Sequence, residues 1–312
     1  MVLAKAYDEV ENPRKQRTLP NGLFGWRTDF IERLEDKSID TPMAFLAEAS
    51  PRRVLRTHYH AVDQFQVMYN GAGAMGKHPV GPGAVHFARA YTPYGPITYG
   101  DKGLGFITLR AHRDPGAQYL PERREALEQV ANRKPWQITV MPDFDFLPGE
   151  RGVTMKALEG LTGHADGLAA WSVKMKPGVK AWAPDPSKGD GQYIVVLKGG
   201  VQHEAKLKKD LAIVWVPRDS GPFELVAGPD GMEGLILNFP VPGGGRPEEA
   251  KTPPAGGEFK TWQCVLCAFV YDEAAGLPEE GIAPGTRWAD VPDTFGCPDC
   301  SAKKAEFEMI EL

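Results

Sequence analysis

Residues 262–267 read Trp262-Gln263-Cys264-Val265-Leu266-Cys267, and after 29 further residues the chain reads Cys297-Pro298-Asp299-Cys300. These two C-x-x-C motifs hold all 4 cysteines of the chain. Each short loop presents two sulfur atoms to one ion, and two such loops complete a tetrahedral thiolate set. The motifs therefore predict a four-cysteine metal site, although the spacing alone suits structural zinc as well as iron.

The residues around the cysteines bear on the choice of metal. The first motif continues as Ala268-Phe269-Val270-Tyr271-Asp272, and Gly281-Ile282-Ala283-Pro284-Gly285-Thr286 and Asp290-Val291-Pro292-Asp293 follow. The aromatic residues of the segment are Trp262, Phe269, Tyr271, Trp288, Phe295 and Phe307. Over its whole length this segment resembles the rubredoxin family. The resemblance implies one-electron transfer by a mononuclear iron held by Cys264, Cys267, Cys297 and Cys300, with structural zinc as the alternative.

The segment departs from the usual rubredoxin pattern at three positions. Ala268 and Ser301 stand where the family usually has glycine after each motif, and Phe295 stands in place of a tryptophan. The glycines let backbone N–H groups approach the sulfur atoms, so their absence is expected to alter the reduction potential of the iron.

Length and composition indicate a soluble protein of several domains. The chain has 312 residues, of which 42% are hydrophobic and 25% charged, which is ordinary for globular proteins. No stretch approaches the roughly 18 apolar residues of a membrane span, and the first residues lack the apolar core of a signal peptide. Four cysteines committed to one metal site fit a reducing compartment, so we expect a cytoplasmic location. No nucleic-acid-binding motif is found.

The charge is distributed unevenly along the chain. The net charge is −5, but residues 258–312 contain 11 acidic and 4 basic residues, a net −7, which leaves +2 for residues 1–257. An acidic electron-transfer domain can be steered onto a mildly basic body or onto a basic reductase. The alternative is that the acidic residues only keep a small domain soluble.

The middle of the chain has the pattern of short β-strands. Apolar runs rich in Val, Ile, Phe and Tyr are separated by Gly and Pro, which predicts a β-barrel or sandwich rather than βαβ units. The runs cover 64–69, 84–88, 105–109, 136–140, 168–173, 192–197, 211–216 and 234–239. Residues 1–42 are expected to form an arm or an irregular cover.

One strand-like passage contains a histidine pair. It reads Arg56-Thr57-His58-Tyr59-His60-Ala61-Val62-Asp63-Gln64, and within a strand His58 and His60 face the same side. With Gly71 further on, the passage resembles the first metal-binding motif of the cupin family, with Gln64 in place of a glutamate. Pro82-Gly83-Ala84-Val85-His86-Phe87-Ala88 and Thr92-Pro93-Tyr94-Gly95 resemble the second motif, with Tyr94 in the place of the fourth ligand.

The cupin resemblance implies a β-barrel that holds a metal ion and a small molecule. His58 and His60 would bind a second iron or another divalent metal, with Gln64, Tyr94 or His86 as a third ligand or as a hydrogen-bond partner. The expected catalytic residues are His58, His60, Gln64 and Tyr94. The alternative is a metal-free pocket in which the histidines only form hydrogen bonds.

Basic residues cluster near the expected mouth of this barrel. They are Arg52, Arg53, Arg56, Arg110, His112 and Arg113. They either attract an anionic substrate or form a solvated rim. The rim is the favoured interpretation, because the sequence pairs them with no defined acceptor.

A second cupin-like unit repeats the spacing of the first but lacks the residues expected to bind a metal. Residues 192–199 have the spacing of residues 64–71. Pro186 and Lys188 fall at the places of the histidine pair, and Phe223 at the place of the last ligand, so no metal is expected there.

The predicted fold is mainly β, with two cupin-like (double-stranded β-helix, or jelly-roll) barrels followed by a small rubredoxin-like iron domain. The expected divisions are an arm at 1–42, barrel 1 at 43–135, barrel 2 at 136–241, a Pro/Gly-rich linker at 242–258 and the iron domain at 259–312. A linker of this composition buries little surface, and tethering keeps the iron domain at roughly millimolar local concentration.

Together the two halves predict a non-haem, metal-dependent oxygenase that acts on a small organic molecule with O2. Its rubredoxin iron would pass single electrons, drawn from an NAD(P)H-dependent flavoprotein reductase, to the metal of barrel 1. Two alternatives are a redox-responsive small-molecule-binding protein without catalysis and a dioxygenase whose rubredoxin only re-reduces inactivated metal. Cupin barrels often pair through their edges, so a homodimer is a further expectation.

Overall fold

The computed structural model describes residues 1–18, 24–31, 40–242, 259–264, 267, 269–280, 282, 284–292, 294–299, 302–304 and 307–310. The predictions about the linker at 243–258 and about Cys300, Ala268 and Ser301 lie outside these residues. The described chain is mainly β, as predicted, and its α-helix α1 covers Arg124–Glu128. In that same part, no helix has both the length and the apolar character that crossing a membrane requires.

The strands pair antiparallel in two large and two small sheets. The first strands are β1 (Leu3–Ala6), β2 (Lys15–Thr18), β3 (Phe24–Ile31), β4 (Met43–Ala49), β5 (Val54–Leu55), β6 (His58–Tyr59), β7 (Gln64–Met75), β8 (His78–Val80), β9 (Val85–Ala88), β10 (Ile97–Arg110), β11 (Gln118–Tyr119) and β12 (Gln137–Val140). They are followed by β13 (Val153–Ala157), β14 (Ala169–Met175), β15 (Lys180–Trp182), β16 (Gln192–His203), β17 (Lys206–Lys209), β18 (Ala212–Val216), β19 (Glu224–Asn238), β20 (Thr261–Cys264), β21 (Val270–Asp272) and β22 (Phe307–Ile310). Short 3-10 helices cover Tyr7–Glu9, Pro186–Lys188, Pro278–Glu280 and Trp288–Asp290.

Each large sheet forms the framework of one barrel. In barrel 1 the order is β12-β9-β7-β10-β4-β3-β2, with β5 beside β10 and β8 beside β7. In barrel 2 it is β1-β18-β16-β19-β14-β13, with β15 beside β19 and β17 beside β16. The small sheets are β11-β6, which contains the first histidine, and β21-β20-β22 in the C-terminal domain.

The two large sheets repeat one construction. A long strand pair lies at the centre of each, β7 with β10 and β16 with β19. Gly71, Gly103, Gly199 and Gly231 in these pairs have φ of +72°, +77°, +75° and +79°. A Cβ on Gly71 would lie 2.2 Å from the carbonyl oxygen of Gly103, and one on Gly199 would lie 2.3 Å from that of Gly231. Only glycine fits such positions, which explains why the spacing of residues 64–71 recurs at 192–199.

The N-terminal region differs from the predicted arm. Strand β1 pairs with β18 of barrel 2, while β2 and β3 extend the sheet of barrel 1 beside β4. These strands lie toward the sheet edges, where one face meets water, so they lack the continuous apolar runs on which the prediction relied. Barrel 1 also continues past its expected end at residue 135, because β12 pairs with β9.

The two barrels share a buried core. Phe65 of barrel 1 packs edge-on against Phe239 of barrel 2, with ring centroids 5.0 Å apart. The buried hydroxyl of Tyr193 on β16 lies 3.1 Å from the carbonyl oxygen of Met43 and 3.0 Å from that of Arg110. Barrel 2 thereby holds the ends of β4 and β10, and it fixes the backbone from which the Arg110 side chain projects.

Candidate functional site

Three of the four predicted iron ligands come together in the C-terminal domain. The Sγ atoms of Cys264, Cys267 and Cys297 all lie within 4.8 Å of one another, and the three side chains are buried. Cys264 is the last residue of β20, which is held between β21 and β22. A buried cluster of thiols from two C-x-x-C loops fits a four-coordinate iron centre.

The aromatic residues of the rubredoxin-like segment form one cluster. Trp288 lies at its centre, with ring centroids 5.3 Å from Trp262, 5.2 Å from Tyr271 and 4.8 Å from Phe307. The same cluster includes Phe269 and Phe295. These side chains supply a compact apolar core beside the cysteines.

The first cysteine loop contacts the wall of barrel 1. The side-chain amide of Gln137 on β12 donates a hydrogen bond to the carbonyl oxygen of Cys267. The same nitrogen lies 3.4 Å from the carbonyl oxygen of Pro93. A single side chain therefore connects a predicted iron ligand with the segment that carries Tyr94.

The second cysteine loop contacts the same barrel. Lys77, which connects β7 and β8, pairs with Asp299 at 3.5 Å. Its ammonium nitrogen also lies 5.4 Å from the centroid of the Phe269 ring, within the range of a cation–π contact. Gln263, on the strand that ends in the first cysteine, donates to the carbonyl oxygen of Pro135 at 3.4 Å. Both cysteine loops thus face barrel 1.

His58 is buried in barrel 1 within a chain of hydrogen bonds. Its backbone forms an antiparallel bridge with Tyr94. Its Nδ1 donates to the carbonyl oxygen of Arg56 at 2.8 Å, so Nε2 carries the lone pair, 2.9 Å from the hydroxyl of Tyr94. The amide of Gln64 donates to that hydroxyl, which in turn donates to His58.

His60 lies beside His58, with ring centroids 5.3 Å apart. Its Nδ1 donates to Oδ2 of Asp114 at 2.8 Å. Asp114 also accepts from the backbone N–H of Ala61 at 3.2 Å and from that of Gly116 at 2.9 Å. A fully buried carboxylate, which no sequence motif indicated, therefore orients the second histidine.

Arg110, at the end of β10, lies between the predicted ligands. Its Nε and Nη2 donate to Oε1 of Gln64 at 3.1 and 2.9 Å, and its Nη2 is 3.2 Å from both ring nitrogens of His60. Its Nη1 is 3.2 Å from Oδ2 of Asp114. The sequence had suggested a solvated rim for this arginine. The structure corrects that interpretation, because Arg110 is 5% exposed and faces the histidines.

The charges at this site follow from burial and from the Arg110 guanidinium. Burial and the neighbouring His60 lower the pKa of His58 to about 3, and burial and Arg110 lower that of His60 to about 4. Burial alone would raise the pKa of Asp114, but the bond from His60 and the charge of Arg110 outweigh it and lower the value to about 2. At neutral pH both imidazoles are therefore neutral, and the ionised carboxylate balances the guanidinium.

His86 does not join the histidine pair. Its Nδ1 lies 2.8 Å from Oγ1 of Thr139, while its buried Nε2 has no hydrogen-bond partner. Its ring centroid is 5.2 Å from that of Tyr94. Among the described residues, the three histidines do not form a group whose donor atoms lie within 4.8 Å of one another. The structure thus brings His58, His60, Gln64 and Tyr94 together and leaves His86 behind Tyr94.

The donor set in barrel 1 does not fit a divalent metal ion as it stands. The oxygen of Gln64 is turned toward Arg110, and the hydroxyl of Tyr94 donates to His58. Burial raises the pKa of Tyr94, so a tyrosinate ligand is disfavoured. Every expected ligand is neutral, and a positive charge lies where a metal would need negative ones.

A cavity of about 560 Å³ opens beside these residues. His58, His60, Tyr94 and Arg110 contribute to its wall. Five further aromatic residues line it: Trp26, Phe45, Tyr99, Phe106 and Tyr119. This volume accommodates a small organic molecule next to the histidine pair.

Sequence reasoning missed Asp114 and Gln137 and misplaced Arg110. Gln137 was within a predicted strand, but nothing in the strand pattern indicates a contact 130 residues away. Arg110 does have one retrospective signal. It follows Gly103 by seven positions, as Asn238 follows Gly231, and in barrel 2 Asn238 lies opposite Gln192 just as Arg110 faces Gln64.

The two barrels have a cupin-like fold, which solved structures share. A structure of a proposed dioxygenase from Nostoc punctiforme superimposes with a TM-score of 0.54 at 11% identity, over 82% of this chain and 87% of that one. A deletion mutant of Bacillus subtilis oxalate decarboxylase superimposes with a TM-score of 0.50 at 12% identity, over 77% of each chain. At such identities these similarities establish the fold alone.

The C-terminal domain has close relatives in sequence. The sequence model of the family described as Rubredoxin matches residues 261–307. Rubredoxin-2 of Pseudomonas aeruginosa is 62% identical over 54 residues, which are 17% of this chain and 98% of that protein. Rubredoxin of Acinetobacter baylyi is 57% identical over 54 residues, 17% of this chain and all of that protein. Through this domain the chain belongs to the rubredoxin family, which supports iron as the metal of the cysteine cluster.

Proposed function

We propose that this protein is an oxidoreductase in which the rubredoxin domain exchanges single electrons with a small organic molecule bound in barrel 1. The observation that carries the proposal is the placement of both cysteine loops against the wall of that barrel, through Gln137 and Lys77. Electron transfer weakens steeply with distance, so a carrier acts on the site that its metal-ligand loops face.

A short series of contacts leads from the iron ligands to the cavity. Cys267 accepts a hydrogen bond from Gln137, whose side chain also approaches the carbonyl oxygen of Pro93. Pro93 precedes Tyr94, which lines the cavity and bonds to His58. These contacts support electron exchange across the barrel wall.

The electrons would come from an NAD(P)H-dependent flavoprotein reductase in the cytoplasm. Residues 258–312 carry a net charge of −7, which favours association with a basic partner surface at low ionic strength. Since the cysteine loops lie against barrel 1, the reductase would reach them after the domain leaves that position.

The second candidate function is the metal-dependent oxygenase expected from the sequence. It is favoured by one observation. Both histidines donate a hydrogen bond through Nδ1, which leaves the lone pair of each Nε2 as the one that could bind a metal, as in metal-binding histidines. The cupin-like fold shared with the proposed dioxygenase from Nostoc punctiforme is compatible with it. This candidate requires Arg110 to withdraw from the histidine pair, and the metal content of the purified protein decides it.

Rapid mixing tests the first candidate. The protein is reduced anaerobically with dithionite and mixed with naphthoquinone sulfonate, an aromatic anion that accepts single electrons, and the visible absorption of oxidised iron is followed. Each iron(II) becomes iron(III), and each quinone becomes a semiquinone. We expect the rate to saturate with quinone concentration, because binding in the cavity precedes transfer.

A matched pair of variants locates the transfer. Ala47→Trp fills the cavity that Ala47 lines, whereas Ala126→Trp adds the same side chain on the exposed surface of α1. Ala47→Trp should lower the saturated rate at least about tenfold and Ala126→Trp should leave it unchanged. A rate that rises linearly with quinone and is equal in all three proteins would mean direct reaction at the domain surface, and the proposal would fail.

A further inference from the structure

The centre of the barrel 1 site is occupied by a side chain. Arg110 reaches Gln64 through two nitrogens, at 3.1 and 2.9 Å, and lies 3.2 Å from both ring nitrogens of His60. Its third nitrogen is 3.2 Å from Asp114. One guanidinium thus contacts Gln64 and His60, which the cupin resemblance predicted as metal ligands.

The hydrogen-bond directions at this site are determined by Arg110. A guanidinium only donates, so the side-chain oxygen of Gln64 faces Arg110 and its NH2 faces Tyr94. The Tyr94 hydroxyl accepts from Gln64 and therefore directs its own hydrogen to Nε2 of His58. The network uses the oxygen of Gln64, the hydroxyl of Tyr94 and the lone pair of His58 for hydrogen bonds within the protein.

Asp114 gives the network its charge balance. The carboxylate is fully buried and accepts from His60 and from Arg110. This ion pair stands in place of the charges that a metal and an acidic ligand would otherwise bring into the barrel. Burial of either Arg110 or Asp114 without the other would be costly.

We propose that the Arg110 guanidinium takes the place of the metal ion in barrel 1 and that the adjoining cavity binds a small aromatic organic anion. The proposal rests on the proposed function in that it names what the same cavity binds. It differs from the oxygenase candidate, which needs a metal at the histidine pair.

The cavity wall supports an anionic, aromatic ligand. Its basic residues are Lys15, Arg17, Arg27 and Arg110, and its acidic residues are Asp29, Glu48 and Asp114, which leaves one positive charge in excess. Arg27 stacks on Phe45, with its guanidinium carbon 3.6 Å from the ring centroid, and Arg110 lies 5.7 Å from the same ring. An aromatic wall beside cationic groups suits a planar molecule that carries a carboxylate, a sulfonate or a phenolate.

Metal binding provides the first test. Mn²⁺ is added to the full-length protein and its bound fraction is measured by electron paramagnetic resonance. Wild-type protein should show no stoichiometric site, whereas Arg110→Ala, which leaves Asp114 and the histidine pair facing open space, should bind Mn²⁺ at least about tenfold more tightly. Arg27→Ala, which removes another arginine of the cavity wall, should bind Mn²⁺ as the wild type does.

Anion binding provides the second test and does not depend on any variant's ability to bind metal. Calorimetry with benzoate should detect binding to the wild-type protein, and benzyl alcohol, which has the same ring without charge, should bind at least about tenfold more weakly. Arg110→Ala should lower the benzoate affinity by a similar factor.

Two results would overturn the proposal. The first is one Mn²⁺ bound per wild-type chain that is lost in His58→Ala. The second is equal affinity of the wild-type protein for benzoate and benzyl alcohol. Neither result affects the quinone experiment. The proposal for Arg110 can therefore fail while electron exchange is supported, and electron exchange can fail while the proposal for Arg110 is supported.

Discussion

Oε1 of Gln64 accepts two hydrogen bonds from Arg110, at 3.1 Å from Nε and 2.9 Å from Nη2. The pair joins β7 to the end of β10, and both side chains are buried. Since Arg110 is charged and buried from solvent, the amide of Gln64 replaces part of the hydration that the guanidinium lost on folding. The glutamine in this position is thus suited to an arginine neighbour.

Replacement of Gln64 by leucine should destabilise barrel 1. Gln64→Leu leaves Arg110 and Tyr94 each without one partner, and the loss of hydrogen bonds to a buried charge should lower the free energy of unfolding by about 2–3 kcal/mol. Urea unfolding followed by circular dichroism measures it. Gln192→Leu is the matched comparison, because Gln192 donates to the neutral carbonyl of Pro184 and its loss should cost about 1 kcal/mol. Equal losses would contradict the role given to Arg110.

Removal of the Gln137 side chain should lower the reduction potential of the rubredoxin iron. The amide donates toward Cys267, and its positive end favours the more negative, reduced centre. A bond of about 0.5–1 kcal/mol corresponds to roughly 20–40 mV for one electron. Spectroelectrochemical titration of Gln137→Ala measures the shift. Gln129→Ala, at an exposed glutamine after α1, serves as the control, and an unchanged potential in Gln137→Ala would show that the contact does not form in solution.

Reversal of the charge at Lys77 should weaken the contact between the rubredoxin domain and barrel 1. Lys77 pairs with Asp299 at 3.5 Å and its side chain is 44% exposed, so the pair is worth only about 0.5 kcal/mol. Lys77→Glu replaces that attraction by repulsion and should increase hydrogen exchange in the cysteine loops. The double variant Lys77→Glu, Asp299→Lys should restore the protection. Lys102→Glu, at an exposed lysine on β10, controls for net charge.

The stability of the protein should fall between about pH 6.5 and 9 because of His112. The bond to Asp190 raises the pKa of His112, burial opposes the rise, and the bond to Asp40 adds to it, which brings the value to about 9. A group with a raised pKa stabilises the folded state fully below its unfolded value and loses that contribution as the pH passes its folded value. Arg218 and Asp63 also face this cluster, and their opposite charges partly offset each other.

The size of this effect is limited by solvent. The His112 side chain is 39% exposed, so we expect about 1 kcal/mol after screening. The urea midpoints of wild type and His112→Gln should differ at pH 6.5. At pH 9.5 the two midpoints should converge. His78→Gln, at an exposed histidine on β8, should show no such pattern.

Local patterns in the sequence revealed the features that depend on local geometry. Cys264 and Cys267 belong to one C-x-x-C motif, and Gly71 and Gly199 have backbone conformations that only glycine adopts readily, so both features appear as fixed spacings in the sequence. The contacts of Arg110 with Gln64 and of Gln137 with Cys267 join residues 46 and 130 positions apart. Such contacts depend on which strands pair and on where a domain docks, and no short pattern records them.

Loss of the rubredoxin iron should leave the barrels folded and should reveal how much iron the whole chain holds. Cys264→Ser removes one thiolate from a cluster whose Sγ atoms lie within 4.8 Å of one another, and hydroxyl oxygen is a poor substitute for sulfur at iron. We expect the visible absorption to disappear and the iron content to fall from about one ion per chain to about zero, since Arg110 occupies the histidine site. Elemental analysis measures this. Cys264→Ser should keep the circular dichroism of barrels 1 and 2, because the described core residues of the barrels and those around the cysteines form separate clusters. One iron per chain that persists in the variant and is lost on further change of His58 would instead place iron in barrel 1 and favour the oxygenase.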